Sequence, residues 1–331
     1  MIIMSIHILI QTKTKKNMKN TFLPWIAQQK EQINWKCLSL NTNAISILED
    51  NLEKIDWSRL SSNNNAIPIS EKNLDKVDWY HLSSNINAIP ILEKNLNKVY
   101  WGELSYNVNA ISILEKNVDK IKWCQLSMKS NAVSFLEKNL DKVRWHYLSG
   151  NENALSILEK NFDKIDWFFL SLNINAIPIL ENNMDRINWR NLSMNVNAIS
   201  ILEKNLDKVD WYHLSENVNA ISILEKNLDK ICWHRLCVNT NAIPILEKNL
   251  DKVNWFNLSG NPMAIHLLEQ NQDRIYWNVL SMNPNIFCCD YDYYKKQMDI
   301  HREELMKKVF HPRRLVFYLE LGYDFDFDTV L

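Results

Sequence analysis

Apolar and polar positions recur along this chain with a period of 22 residues. Tryptophan stands at 35, 57, 79, 101, 123, 145, 167, 189, 211, 233, 255 and 277. Between them the sequence follows W-x-x-L-S-x-N-x-N-A-I-x-I-L-E-K-N-L-D-K-(I/V)-x without insertion, and the stretch from Trp189, WRNLSMNVNAISILEKNLDKVD, is representative. Strict self-similarity at a short period marks a solenoid, in which each unit buries its apolar face against its neighbours. Proline sets the local structure. Pro68, Pro90, Pro178 and Pro244 stand three residues after the Asn of Asn-Ala-Ile, where other units carry Ser. A proline there is harmless if that Asn caps a helix, because the missing N–H falls among first-turn donors that have no helical partner. In the representative unit this predicts Asn197 as a cap with a helix over 198–204. Asn205 then ends that helix and caps a second over 206–214. Ala198, Ile199, Ile201 and Leu202 would span about 160° of the first helix, and Leu206, Val209, Trp211 and Leu214 about 200° of the second. Arcs that wide suit helices touched on several sides.

The predicted fold is therefore all-α: an α-solenoid of about eleven to twelve 22-residue helical hairpins. Eleven steps of about 8–10 Å predict an elongated array roughly 90–110 Å along its curved axis. A leucine-rich-repeat-like horseshoe is the alternative, since W-x-x-L-S-x-N-x-N-A-I overlays L-x-x-L-x-L-x-x-N-x-L. That overlay puts Ser62, Gly150 and Glu216 in an obligatory core column, which argues against it. The expected organisation is a disordered leader over 1–18, an N-terminal cap over 19–34, the solenoid over 35–285 and a C-terminal helical cap with an acidic tail over 286–331. The N-terminal cap is a degenerate half repeat in which Lys30 replaces the usual Leu, as suits an end that meets water. In the C-terminal cap His311-Pro312 would separate two helices and Gly322 would end the second.

Composition narrows the function classes. The 331 residues include 4 Gly, so glycine-rich phosphate loops are excluded, and no GxGxxG or GxxxxGK occurs. With 38 Lys plus Arg against 39 Asp plus Glu, the chain lacks the cationic surplus of a sequence-independent nucleic-acid binder. The apolar residues 1–10 precede Lys13, Lys15 and Lys16. A secretory signal has the reverse order and a membrane span needs about 18 apolar residues, so an intracellular protein without a membrane segment is expected. Six cysteines (37, 124, 232, 237, 288, 289) fall out of register with one another, which points to reduced thiols.

Candidate chemistry is sparse. Glu recurs in eleven equivalent places from Glu49 to Glu269. A catalytic acid is not needed eleven times, so these carboxylates are expected to accept hydrogen bonds from backbone amides or from a buried indole. Cys232, His234 and Cys237 have no standard zinc spacing, and no Ser/His/Asp set with supporting context exists. No enzyme activity, metal, cofactor or small-molecule substrate is expected. The informative variation lies at the two residues after each Trp, which a stack would align as a ribbon. The candidate partner-binding residues there are Tyr80, His81, His146, Tyr147, Phe168, Phe169, Arg190, Tyr212, His213, His234, Arg235 and Phe256. Aromatic, His and Arg side chains are enriched where proteins recognise one another, so a scaffold binding another protein is the first reading. A structural component of a particle is the second and a nucleic-acid reader the third.

The repeat W-x-x-L-S-x-N-x-N-A-I-x-x-L-E-x-N and the ending REELMKKVFHPRRLVFYLELGYD resemble the repeat proteins of nucleocytoplasmic large DNA viruses, the mimivirus-like giant viruses. The resemblance covers roughly residues 19–331, and the richness in Asn, Lys and Ile is consistent with an AT-rich genome. It implies a viral protein of the host cytoplasm or the virus factory, and it carries over no catalytic residue. Ser70 for a core Leu, Lys129 for a loop Asn and Cys237 for Ser depart from the pattern and are expected to weaken the fold locally.

Overall fold

The computed structural model describes residues 19–293 without a break, and 295, 296, 299, 300, 303 and 307 beyond them. The leader, the two C-terminal helices, His311-Pro312, Gly322 and the acidic tail lie outside the described residues. Two units are distinguished: residues 24–286, which hold the repeats, and the segments flanking them.

Every repeat is helical, which removes the horseshoe. The strands among the described residues, β1 (Asn20–Phe22) and β2 (Phe287–Cys289), belong to the flanking unit and pair with each other antiparallel. In the representative unit a first helix runs Trp189–Met194 and a second Ile199–Glu203. The prolines occupy the first turn of second helices, as at Ile67–Lys72. The predicted long helix over 206–214 is corrected. After the second helix the chain makes a single tight turn, a 3-10 helix in units such as Leu52–Lys54. It then extends for two residues and starts a new helix at Trp. The break recurs in all twelve units, where the N–H of the residue before Trp is accepted by a Ser hydroxyl or by Cys237 Sγ of the preceding first helix or its C-terminal end. The residue before Trp has extended geometry, and in seven units its side chain accepts a first-turn amide, as Asp210 does from His213 N–H. Asn205 does end the second helix, donating to the carbonyl of Ile201 at 2.8 Å.

The asparagine expected to cap the second helix has another task. Ala198 occupies the cap position without a side-chain bond. Asn197 instead donates to the carbonyl of Ile174 in the preceding unit. Two residues earlier, Asn195 is buried; its Oδ1 accepts from Asn197 N–H, and its Nδ2 donates to the carbonyls of Ser171 and Asn173. The same bonds recur from unit to unit, for example at Asn63, Asn85 and Asn217. The buried Ser of each unit adds a third link. Ser193 Oγ donates to the carbonyl of Trp189 and accepts from Asp210 N–H.

This ladder has no free end within residues 24–286. Asn41 of the first intact unit donates to the carbonyls of Ser281 and Asn283, and Asn43 to that of Pro284. These are the bonds that a unit makes with its predecessor wherever both Asn are present, Lys129 and Met263 being the exceptions. The half repeat over 24–34 supplies what the unit beginning at Trp277 lacks. Pro24 falls in the proline column, Asn34 N–H donates to Ser281 Oγ, and Asn34 Nδ2 donates to Asn278. Trp25 meets Trp277 at 6.4 Å, as Phe135 meets Trp123 at 5.7 Å inside an intact unit. The solenoid is therefore a closed ring of twelve units, eleven continuous and one assembled from the two ends of the array. Closure overturns both the elongated array and the water-facing N-terminal cap. Successive first helices approach closely and successive second helices do not. The first helices therefore hold the smaller circumference, at about 30° of turn per unit.

Leu of the first helix, Ala before the second and Leu within the second are fully buried in unit after unit, as at Leu192, Ala198 and Leu202. Tryptophan is only half-buried, and the Lys or Arg nineteen residues on lies over its ring in eleven units, as Lys208 does over Trp189 at 5.0 Å. The recurrent Glu does not meet a buried indole, since all eleven are exposed. The three departures have local consequences. Lys129 lies over the Tyr106 ring in place of the inter-unit bonds of an Asn. Cys237 Sγ takes over acceptance of Asn254 N–H from the Ser hydroxyl. Ser70, 1% exposed, has a buried hydroxyl without a partner.

Two measurements check this architecture. Cysteines placed at Asn34 and Asn278, in a background without other accessible thiols, should be joined within one chain by a short bismaleimide. An open solenoid would give only intermolecular products. The Ser70→Leu variant should gain about 2 kcal/mol, by burying a side chain that fits the column and removing an unpaired hydroxyl. A lower melting temperature would mean that the neighbours have closed over the smaller residue.

Candidate functional site

The first helix buries Leu and Ser, half-buries Trp, turns the second and in several units the sixth residue outward, and points the third at the neighbouring first helix. The residue after each Trp comes beside the residue preceding the next Trp. Tyr80 meets Tyr100 edge-on at 5.5 Å, Phe256 meets Tyr276 at 5.3 Å, and at the closure Asn278 accepts from Asn34. A belt of such pairs follows the inner circumference of the ring.

The ribbon expected from sequence is thus one continuous surface, but its two columns are unequal. Tyr80, His146, Phe168, Arg190, Tyr212, His234 and Phe256, which directly follow Trp, are exposed. His81, Tyr147, Phe169 and Arg235, one place later, are half-buried, and His213 is buried at 9% exposure. The cause is the helix turn, which points the third residue at the neighbouring first helix. Tyr147 packs against Phe169 at 5.5 Å, Arg235 lies over the Tyr212 ring and pairs with Glu216, and Ser58 bonds to His81. The expectation that both residues are free of structural duty is corrected for this second column.

Sequence reasoning missed the column before Trp. Tyr100 and Tyr276 are over half exposed, at 53% and 52%, and Lys122 and Arg144 are also exposed. Their signal was present, since these residues break an otherwise Asp- and Asn-rich column. They also make no side-chain cap.

Charges on the belt balance. Lys36, Arg59, Lys122, Arg144, Arg190 and Arg235 stand against Asp56, Asp78, Glu103, Asp166, Asp210 and Glu216. Several anions serve the fold. The carboxyl of Asp210 is raised by partial burial, but the backbone amide and imidazole of His213, with Arg190 nearby, outweigh this and bring it below the ordinary 3.8. Asp78 is set in the same way by burial against the amide and ring of His81. Glu103 raises the Tyr80 phenol through a hydrogen bond. Burial pushes up the Cys237 thiol, which lies in the serine ladder. Among the described residues no group of three or more His, Cys, Asp or Glu is placed to hold a metal, and no helix is long and apolar enough to cross a membrane.

Comparison with protein-family models, curated proteins and solved structures finds no match to this chain.

The caps give a pH-dependent expectation. Asp210→Ala should cost about 1 kcal/mol at neutral pH. A carboxyl held below its unfolded value stabilises fully above pH 3.8 and loses that contribution as pH falls through the folded value. Thermal melts should therefore show the gap between parent and variant constant near pH 7 and closing below pH 3.8. A gap that widened in acid would contradict this account of the cap.

Proposed function

We propose that this protein is a non-enzymatic scaffold that binds another protein on the first-helix belt of its ring. The carrying observation is the series of exposed aromatics on that belt, Tyr80, Tyr100, Phe168, Tyr212, Phe256 and Tyr276. Solvated aromatics gathered on one surface lower solubility and provide large, rigid contact area, which is the usual composition of protein-binding centres. The balanced charge of the belt supports a protein over a polyphosphate chain, whose affinity needs a cationic excess. The sequence resemblance to giant-virus repeat proteins supports a viral role in the host cytoplasm or virus factory, on host or viral targets. A structural component of the particle is the second reading, supported by ring closure, which removes solenoid ends and suits a building block.

The substitutions Phe168→Ser, Tyr212→Ser and Phe256→Ser touch only the exposed column. Together they should leave helical ellipticity unchanged and stability within about 0.5 kcal/mol per site, while abolishing recovery of the main partner in quantitative pull-downs from infected cells. Retention of every partner would place binding elsewhere. Loss of self-association in sedimentation velocity, with no heterologous partner lost, would favour the particle component.

A further inference from the structure

The belt is not uniform. In seven of its twelve places the residue before Trp is Asp or Asn and caps the helix that follows. At two successive places the sign is reversed, with Lys122 before Trp123 and Arg144 before Trp145, and neither helix has a side-chain cap. A cation there forgoes the capping bond and opposes the helix dipole, so folding alone disfavours both residues. Their belt neighbours are small. Lys122 passes over Gly102, whose added Cβ would lie 3.9 Å from Lys122 Cγ, and Arg144 shares its place with Cys124. Among the described residues neither cation has an ion-pair partner, and both are exposed. Alongside lies the densest aromatic group of the belt, in which the Phe169 ring meets His146, Tyr147 and Phe168 at 5.3–5.9 Å.

We infer that this sector, from Lys122 to Phe169, binds an extended acidic segment of another protein whose one face carries two carboxylates followed by an aromatic side chain. The inference rests on the scaffold reading and names the chemistry of its partner. Every second side chain of an extended chain lies on one face, about 6.5–7 Å from the last, and the length of the Lys and Arg side chains spans the rest of the about 8–10 Å between adjacent first helices. Carboxylates at that spacing reach Lys122 and Arg144 together, and a following aromatic reaches the group around Phe169. A nucleic acid would carry charge onward into Asp56, Asp78 and Glu103 on one side and Asp166 and Asp210 on the other. A peptide can confine its charge to the two cations.

The test uses fluorescence anisotropy with the full chain and a labelled synthetic peptide of repeating Asp-Ser-Asp-Ser-Phe-Ser, the Asp-Phe peptide. Controls are the same peptide with Lys in place of Asp, the Lys-Phe peptide, and a labelled oligothymidylate. The variant Lys122→Asp/Arg144→Asp restores the anionic cap found at Asp56, Asp78, Asp166 and Asp210, so it should melt at the parent temperature or above. It should nonetheless bind the Asp-Phe peptide at least about tenfold more weakly. Lys122→Met/Arg144→Met, which removes charge without adding any, should weaken binding in the same direction. The inference is overturned by equal affinity of parent and both variants, by equal binding of the Lys-Phe peptide, or by preference for the oligothymidylate. If the exposed-aromatic variant loses its cellular partner but the parent ignores the Asp-Phe peptide, the scaffold reading stands and this sector assignment falls.

Discussion

The structure depends on a buried side-chain amide that recurs in eleven of the twelve units. Helices of four to six residues are far below the length at which helix formation sustains itself in water, and they leave most of their end carbonyls without helical partners. In an ordinary helical repeat long apolar faces compensate. Here Asn195 and its equivalents donate to two carbonyls of the preceding unit while accepting one amide of their own turn. An amide fills this place in eleven of the twelve units, Lys129 being the exception. A carboxylate would present acceptors to acceptors, and an aliphatic side chain would leave two buried carbonyls unpaired at about 1–3 kcal/mol each. Because the bonds fit a single register, the ladder fixes both the step and the turn between units.

A fixed turn repeated without insertion has a geometric consequence. If the turn divides a full circle, the array meets itself after a whole number of units, and the last interface is chemically the same as the others. The chain uses this by splitting one unit between its ends, so that the contacts of Trp25, Asn34 and Asn41 with residues about 240 positions away reproduce those between sequence neighbours. An open solenoid must cover two apolar ends with specialised caps; a ring covers them with each other. The composite unit is also the least regular. Gln32 stands where eleven units place a cation over Trp, and Trp25 Nε1 is buried without a partner.

Much of this was legible in the sequence, for identifiable reasons. The period, the helical class and the Pro-marked start of the second helix follow from steric rules that act within a few residues. The break before each Trp was missed because Leu206, Val209, Trp211 and Leu214 share a helical face; that apolar spacing agrees equally with a turn, an extended pair and a fresh helix. Closure was invisible to local reasoning. The half repeat over 24–34, with Lys30 in a Leu column, has the composition of a solvated cap, and only its partner at Trp277 shows that it completes a unit. At the site, the two residues after Trp were placed correctly on one surface, but burial of His213 depends on the neighbouring helix. The column before Trp looked like spacer because its common residues, Asp and Asn, are unremarkable in turns.

The same ladder explains why variation collects where it does. Leu is buried in the core and Trp half-buried beneath a cation, while Ser and the two Asn that most units carry are tied by hydrogen bonds to the next turn or the preceding unit. Most residues after Trp make no such bond, Ser58, Tyr80 and Asn278 being exceptions, and the side chain before Trp serves chiefly as a cap, which five units do without. These two columns meet at the inner circumference, where closure brings units closest together. Side chains released from structural duty are thereby concentrated on the surface with the smallest radius, and a partner bridging several units there needs less length than anywhere else on the ring. A ring built in this way separates the positions that hold the fold from the positions left to vary, residue by residue, and at Lys122 and Arg144 the variation goes against the preference of the helix end.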